Sequence, residues 1–358
     1  MDNAARHFYI HARIRSPRIF DHGPRRELRS FTLPSLNFAQ TLLPALVLAA
    51  VICPPCLAQS WPQKPVRIIV PFPPGGGLDL YARIVAEKMQ ESLGQQVIIE
   101  NRSGASGMIG ADAVAKAAPD GYTVLFSTAA EISINQSLYR KMSYDPVRDL
   151  APASYAAHAA LLFSVHPSIP ARSVKELVSL AKAKPGQLAY ASAGTGSAHH
   201  LTGELLKSIA RIDIIHVPYK GAGPAVIDMV GGQVPMGFSA LPSSLPHARA
   251  GKLRPLAVTS ARRSEAATDI PTFVEQGYAD IDIVSWYGVL APARTPVDIV
   301  ARLGKEANAA SARADVKAKL LQQGIEVVGT TPEQFTQFIQ SEVARYAKII
   351  RESGAKLE

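Results

Sequence analysis

A chain of 358 residues has room for two globular units, and 47% apolar residues supply a sizeable core. The formal charge of +9 is uneven: the first 58 residues hold seven arginines, no lysine and three acids, and the other 300 are mildly basic without a dense Lys/Arg run, which argues against a nucleic-acid partner. Both cysteines, Cys53 and Cys56, fall in that first segment, so the remaining chain has no disulfide, thiolate nucleophile or cysteine metal site.

Residues 1–58 read as an export signal. Arg13, Arg15, Arg18, Arg25, Arg26 and Arg29 form a basic region, Leu42 to Ile52 is mostly apolar, and Cys56-Leu57-Ala58 places small residues for cleavage near Ala58. The apolar run of about eleven residues is short for a bilayer span. The expected destination is the periplasm, with Arg25-Arg26 leaving a twin-arginine route open beside the general one.

Beyond Trp61, Val66 to Val70 is a β-branched run that reads as a strand. Pro71 to Asp79 is a glycine-rich turn, and a helix follows to about Ser92, closed by Gly94. Val97 to Glu100 is a second strand, Asn101 to Gly107 a small-residue loop, Ile109 to Ala117 a helix, and Tyr122 to Ser127 a third strand. Strands alternating with helices predict a parallel, doubly wound sheet. Leu161 to Val165 leads into a second unit. Ser173 and Glu176 have capping-box spacing at the next helix. Gln187 to Ser192 is a strand, Ala193 to Ser197 a second glycine turn, and His199 opens a helix. Strands follow at 214–217, 234–238 and 253–259, with a helix from Ala225 to Val230, and 281–290 returns to the first unit. Helices at 297–311, 314–323 and 332–352 end the chain, the last opened by Thr331-Pro332-Glu333. Two short crossings near 161 and 285 predict a hinge, and no exact internal repeat is visible.

Both glycine turns join a strand to a helix start, where unpaired N–H groups and a partial positive charge attract an anion. The first is not a P-loop, because Leu78-Asp79 stands where Lys-Ser/Thr belongs, and Gly-x-Gly-x-x-Gly fails beyond Gly77. No Gly-x-Ser-x-Gly elbow surrounds Ser103, Ser106 or Ser197. His199, His200 and Glu204 lack the His-Glu-x-x-His pattern, so no metal is expected. Asp79 reads as a capping or loop-bracing group rather than a catalytic acid, and His200 as a cleft hydrogen-bonder or a structural helix-start residue. Lys220 is either a ligand contact or a solvated charge, and Trp286-Tyr287-Gly288 either core or a ring wall over a ligand. The two turns are expected to face each other across a cleft and hold a small carboxylate between them.

These stretches resemble the extracytoplasmic solute receptors of tripartite tricarboxylate transporters, the Bug or TctC-like family. The match is carried by Pro71 to Gly77 with Asp79, Glu100 to Gly104, Ala118 to Tyr122, Ser192 to His200 with Gly203-Glu204, Val217 to Pro224, Gly231 to Val234, Pro242-Ser243, Gly251 to Arg254 and Trp286 to Gly288. It covers nearly all of 61–358.

The resemblance implies an α/β, two-lobe periplasmic-binding-protein (Venus flytrap) fold, each lobe a mostly parallel sheet flanked by helices. Lobe I would be 59–160 plus 286–358, and lobe II 161–285. It implies a monomer that takes a small organic acid without chemistry or cofactor and hands it to membrane permease subunits. The ligand-binding residues it implies are Phe72, Pro74, Gly75, Gly76, Gly77, Leu78, Asp79 and Ser127 on one side. On the other are Ser192, Gly194, Thr195, Gly196, Ser197, His200, Tyr219 and Lys220. Relatives often carry Thr at the position of Leu78, and Asp-Asn within the stretch that here reads Gly237 to Pro242. Both departures point to an acid with an apolar or aromatic body. A receptor serving a sensor kinase, or an enzyme using Asp79, His200 or Lys220, are the rival functions.

Overall fold

A computed structural model describes residues 61–355. The export signal, its cleavage point near Ala58, Arg25-Arg26 and both cysteines lie outside the described residues. Among the described residues, no helix is long and apolar enough to cross a membrane.

The first half opens with β1 (Val66–Val70), α1 (Gly77–Leu93) and β2 (Val97–Asn101). A 3-10 turn (Ala105–Gly107), α2 (Met108–Ala115) and β3 (Thr123–Ser127) follow, then a π turn (Ala130–Ile134) running into α3 (Asn135–Leu138). Strand β1 is central, parallel to β2 on one side and to β3 on the other. The second half repeats this arrangement with β5 (Ala189–Ser192), α5 (Ala198–Ala210), β6 (Ile215–Pro218), α6 (Ala222–Val230) and β7 (Met236–Ala240). Here β5 is central, parallel to β6 and β7. Each glycine turn therefore leaves the carboxyl end of a central strand, at the point where the chain turns first to one side and then to the other. Open α/β sheets bind ligands at such points.

Two long strands join the halves: β4 (Leu150–Val165) and β9 (Val284–Pro292). The strand order is β2-β1-β3-β9-β4-β7-β5-β6. Residues 150–160 of β4 pair antiparallel with β9, while Leu161 to Val165 pair with β7 and Leu162 to Val165 with β8 (Arg254–Val258). The partner changes between Ala160 and Leu161. The sheet is thus mixed rather than parallel throughout, with a parallel three-stranded core at each end. Strand β4 is also far longer than the 161–165 expected. Its first part, Leu150 to Ala160, is alanine-rich and has no Val, Ile or Thr, so burial between neighbouring strands rather than intrinsic propensity makes it extended.

Local signals set most helix ends. Gly94 takes φ +63° and closes α1, and the Ser173 hydroxyl accepts from the Glu176 amide (3.2 Å) at the start of α4 (Val174–Ala183). Glu176 turns its own carboxylate to the Arg172 amide (2.7 Å), so that capping box is not reciprocal. After α8 (Val297–Ala312), α9 (Ala314–Gln322) and the short β10 (Ile325–Val327), Thr331 and Gln334 form a complete box opening α10 (Pro332–Ser353). Helix α7 (Leu241–Arg249) is not signalled by the sequence: Pro242 sits in its first turn and Pro246 inside it. The core behind the cleft is aromatic. Trp286 lies among Tyr155, Phe335 and Phe338, and its indole N–H donates to Glu342 Oε2 (3.1 Å).

Candidate functional site

Strand β1 delivers the chain into Pro71 to Gly76, and Gly75 takes φ +86°, a conformation that favours glycine. Gly76 caps α1 in an extended conformation without a side-chain hydrogen bond. Asp79, 3% exposed, braces this loop. Its carboxylate accepts from the Gly75 amide (3.1 Å), Asn101 Nδ2 (2.9 Å), and Arg83 Nε (3.1 Å) and Nη2 (2.9 Å). Burial pushes its pKa up, but hydrogen bonds from Arg83, Asn101 and Gly75 outweigh burial and hold it below 3.8. Asp79 is an ionised strut with its acceptors engaged, which fits the bracing role.

The second turn is braced from behind. The Ser192 hydroxyl lies 2.7 Å from His216 Nε2 and accepts from the Gly194 amide (3.1 Å). Gly194 takes φ +127°, and a Cβ there would sit 2.8 Å from the Tyr219 carbonyl. Ser197 caps α5: its hydroxyl accepts from the His200 amide (3.2 Å) and donates to the Gly194 carbonyl (2.6 Å). His200 Nδ1 accepts from the Gly196 amide (3.2 Å), and its ring stacks on His216 with centroids 4.1 Å apart. Burial lowers the pKa of His200 to about 4 and, with His200 beside it, that of His216 to about 3.

The two turns line one cavity, of about 50 Å³ measured as room for the centres of water molecules. At roughly 10–15 Å³ per water on that measure, this is space for a few waters or one small solute. Phe72, Pro73 and Gly76 to Asp79 form one side, Ala193 and Ser197 to His199 the other, and Thr128 to Ala130, Ala222, Ala240, Ser285 and Tyr287 complete it. Among the described residues, no lysine or arginine lines it, and the one lining carboxylate, Asp79, faces Arg83 and Asn101.

Positive potential comes from backbone instead. Among the described residues, α1, α5 and α6 each bring a first-turn residue to the cavity: Gly77, Ala198 and Ala222. The first amides of a helix have no intrahelical partner. At α5, the Ser197 hydroxyl takes the His200 amide. The π turn at Ala130 supplies its own acceptor: Glu131 accepts from the Thr128 amide (2.6 Å) and hydroxyl (2.9 Å). Burial raises its pKa to about 7 against these hydrogen bonds. Phe72, Leu78 and alanines 129, 193, 198, 222 and 240 make the walls apolar.

Contacts between the halves close the rim. The Ser106 hydroxyl donates to the Thr195 carbonyl and the Ser243 hydroxyl to the Gly75 carbonyl (3.5 Å), while within the first half Asn135 Nδ2 donates to the Ser106 carbonyl (3.1 Å).

Of the residues expected from sequence, Phe72, Gly76, Gly77, Leu78, Asp79 and Ser197 line the cavity. Pro74 and Gly75 are exposed at its edge. Ser192, Gly194, Thr195, Gly196 and His200 belong to the second turn and its bracing. Buried Ser127 donates to the Gly288 carbonyl (3.3 Å), Tyr219 donates to Asp228 (2.7 Å), and Lys220 is exposed. Asp79, His200 and Lys220 do not converge on one point of this cavity. His200 and Glu204 have separate partners, with Glu204 accepting from Tyr190 (2.7 Å) and Lys207 (3.0 Å). Trp286-Tyr287-Gly288 divides: Trp286 is core, and Tyr287 lines the cavity. Among the lining residues that sequence reasoning missed are Thr128 to Ala130 and His199. The first is a third strand-to-helix turn without glycine; the second is visible in the sequence only as a neighbour of His200.

The family profile described as tripartite tricarboxylate transporter family receptor matches residues 81–355. Protein BugT of Bordetella pertussis is 39% identical over 313 residues, covering 87% of this chain and 96% of the relative. An R. palustris protein solved with adipate is 38% identical with a TM-score of 0.81, covering 83% of this chain and all of that one. MatC from Rhodopseudomonas palustris with bound malate is 30% identical with a TM-score of 0.77, covering 81% of this chain and all of that one. Identity of this extent, along almost the whole described chain and with a shared periplasmic-binding-protein fold, leads to one conclusion: this chain belongs to the tripartite tricarboxylate transporter receptor family.

Proposed function

We propose that this protein is exported to the periplasm, cleaved near Ala58, and there captures a small organic carboxylate as a monomer, without chemistry. It presents that solute to the permease subunits of a tripartite transporter. The observation that carries the reading is the cavity where the starts of α1, α5 and α6 meet between apolar walls, with no lysine or arginine among the described residues that line it. The carboxylate takes the free amides at Gly77-Leu78 and Ala198-His199, and Phe72, Leu78 and Tyr287 enclose its body. The second turn's Ser192, Gly194, Thr195, Gly196 and His200 hold those amides in place, as Pro74, Gly75 and Asp79 do for the first. Adipate and malate in related structures support this ligand class.

The lobes are 59–160 with 286–358, and 161–285. The change of β4 partners between Ala160 and Leu161, with Val284 opposite Ala160, supports that division. A solute bridging both lobes stabilises their closed arrangement. Native mass spectrometry of the mature protein purified from periplasm tests the reading. It predicts a retained organic acid that is released on unfolding; a retained cation or neutral sugar would contradict it.

A further inference from the structure

His199 is the second residue of α5, is 7% exposed and lines the cavity. Among the described residues, neither its Nδ1 nor its Nε2 has a hydrogen-bond partner. Its neighbour His200 is different, with Nδ1 satisfied by the Gly196 amide and the ring stacked on His216. An imidazole offers one donor and one acceptor when neutral, and leaving both unpaired in a buried site is costly. Packing alone does not require it, because a phenyl ring fills similar space at no such cost. The described residues hold no cluster of three or more His, Cys, Asp or Glu that a metal ion would take. A partner for this ring therefore arrives with whatever fills the cavity.

We infer that His199 determines selectivity, its uncharged ring hydrogen-bonding a polar atom on the body of the bound acid, apart from the carboxylate gripped by the helix starts. This rests on the cavity being the carboxylate site. Burial depresses the His199 pKa to about 4, so near neutral pH the ring contributes direction without charge. A solute with a methyl at that place leaves the ring unpaired as before. One with an oxygen there pairs it. A site that hydrogen-bonds a ligand atom rejects the analogue lacking it more sharply than an apolar pocket rejects a change in size. His199 thus separates acids of equal length by the polarity of their far end, while Phe72 and Leu78 accept the hydrocarbon between.

The test is calorimetry on the mature protein with two probe series: straight-chain diacids from succinate to suberate, and monoacids of matching length. Wild type, His199→Phe and His199→Gln are compared. The wild type is expected to favour at least one diacid over its matched monoacid by about ten- to a hundred-fold. His199→Phe should collapse that ratio towards one, and His199→Gln, which keeps an N–H donor, should restore part of it. His199→Phe should also raise the unfolding midpoint of the ligand-free protein, a gain that a purely structural histidine would not give. No diacid preference in the wild type, or a ratio unchanged in His199→Phe, overturns the role of His199 and leaves the carboxylate site standing. A wild type that binds no acid of either series overturns both.

Discussion

Gly77→Ala tests how closely the first turn is fitted to the cavity. Gly77 has helical backbone, so alanine is conformationally acceptable there and brings up to about 1 kcal/mol of helix propensity, less at a first-turn position. Against this, its Cβ would collide with the Tyr287 hydroxyl and lie 3.2 Å from Pro242 Cγ. Tyr287 is 1% exposed and packs on Tyr81 with centroids 5.6 Å apart, so moving its ring disturbs the core behind the cavity. Overpacking of this kind costs about 1–3 kcal/mol, giving a net loss of about 1–2 kcal/mol and several degrees in Tm. The methyl also crowds the start of α1, and loss of one hydrogen bond from that helix start to the acid would weaken binding about ten-fold. Tyr287→Phe removes the colliding atom, so the double variant should recover much of the stability, with a coupling of about 1–3 kcal/mol. Urea titration and calorimetry on the four proteins of this cycle read both effects. Gly77→Ala matching the wild type in stability and affinity, or strictly additive effects with Tyr287→Phe, would refute the reasoning.

Three further predictions follow from the braces, the rim and the buried imidazoles. Asp79→Asn removes the charge that holds Arg83, Asn101 and the Gly75 amide, and should cost about 1.5–3 kcal/mol in urea unfolding while weakening acid binding; equal stability would show that the loop does not need the strut. Ser106→Ala removes the hydroxyl that reaches the Thr195 carbonyl, and should raise Kd about two- to ten-fold with little change in Tm; an unchanged Kd would mean this contact does not favour closure. His199, His200 and His216 are depressed to about 4, 4 and 3, so their contribution to stability is complete above pH 6.5 and is lost as pH falls from there towards 4. Glu131, raised to about 7, runs the opposite way: its contribution is complete below 4.5 and is lost as pH rises through 7. Each tenfold change in proton affinity between folded and unfolded chain is worth about 1.4 kcal/mol, and three imidazoles outweigh one carboxyl, so the urea midpoint should be lower at pH 5 than at pH 7; an equal or higher midpoint at pH 5 would contradict this.

The features legible in the sequence are those set by local chemistry. Gly94 closing α1, Ser173 and Thr331 as caps, and the glycine turns after β1 and β5 all depend on a few adjacent residues. What escapes depends on distant neighbours. Leu150 to Ala160 becomes strand because β9 and β10 flank it, and β10 is three residues that pair only because β4 is there. The repeat of a central strand between two parallel partners lives in topology, and its trace in residue identity is confined to the glycine turns after β1 and β5. In helix α7, Pro242 occupies the first turn, where proline is tolerated, but Pro246 lies inside it, so local propensity does not account for this helix. At the site, glycine marks two of the strand-to-helix turns. The third, Thr128 to Ala130, contains none and satisfies its amides with Glu131 and the Thr128 hydroxyl instead. Asp79 is legible as a brace because an acid in a first helical turn has that role by default. Lys220 and Tyr287 are each balanced between two roles in the sequence, and only the three-dimensional placement of their loops puts one outside the cavity and the other in its wall.

The most direct measurement is a crystal structure of the mature protein with the acid it retains or binds most tightly. The account predicts a carboxylate within hydrogen-bond reach, about 3 Å, of backbone amides at both Gly77-Leu78 and Ala198-His199. A solute seated elsewhere, or one held in this cavity without touching either helix start, would contradict it.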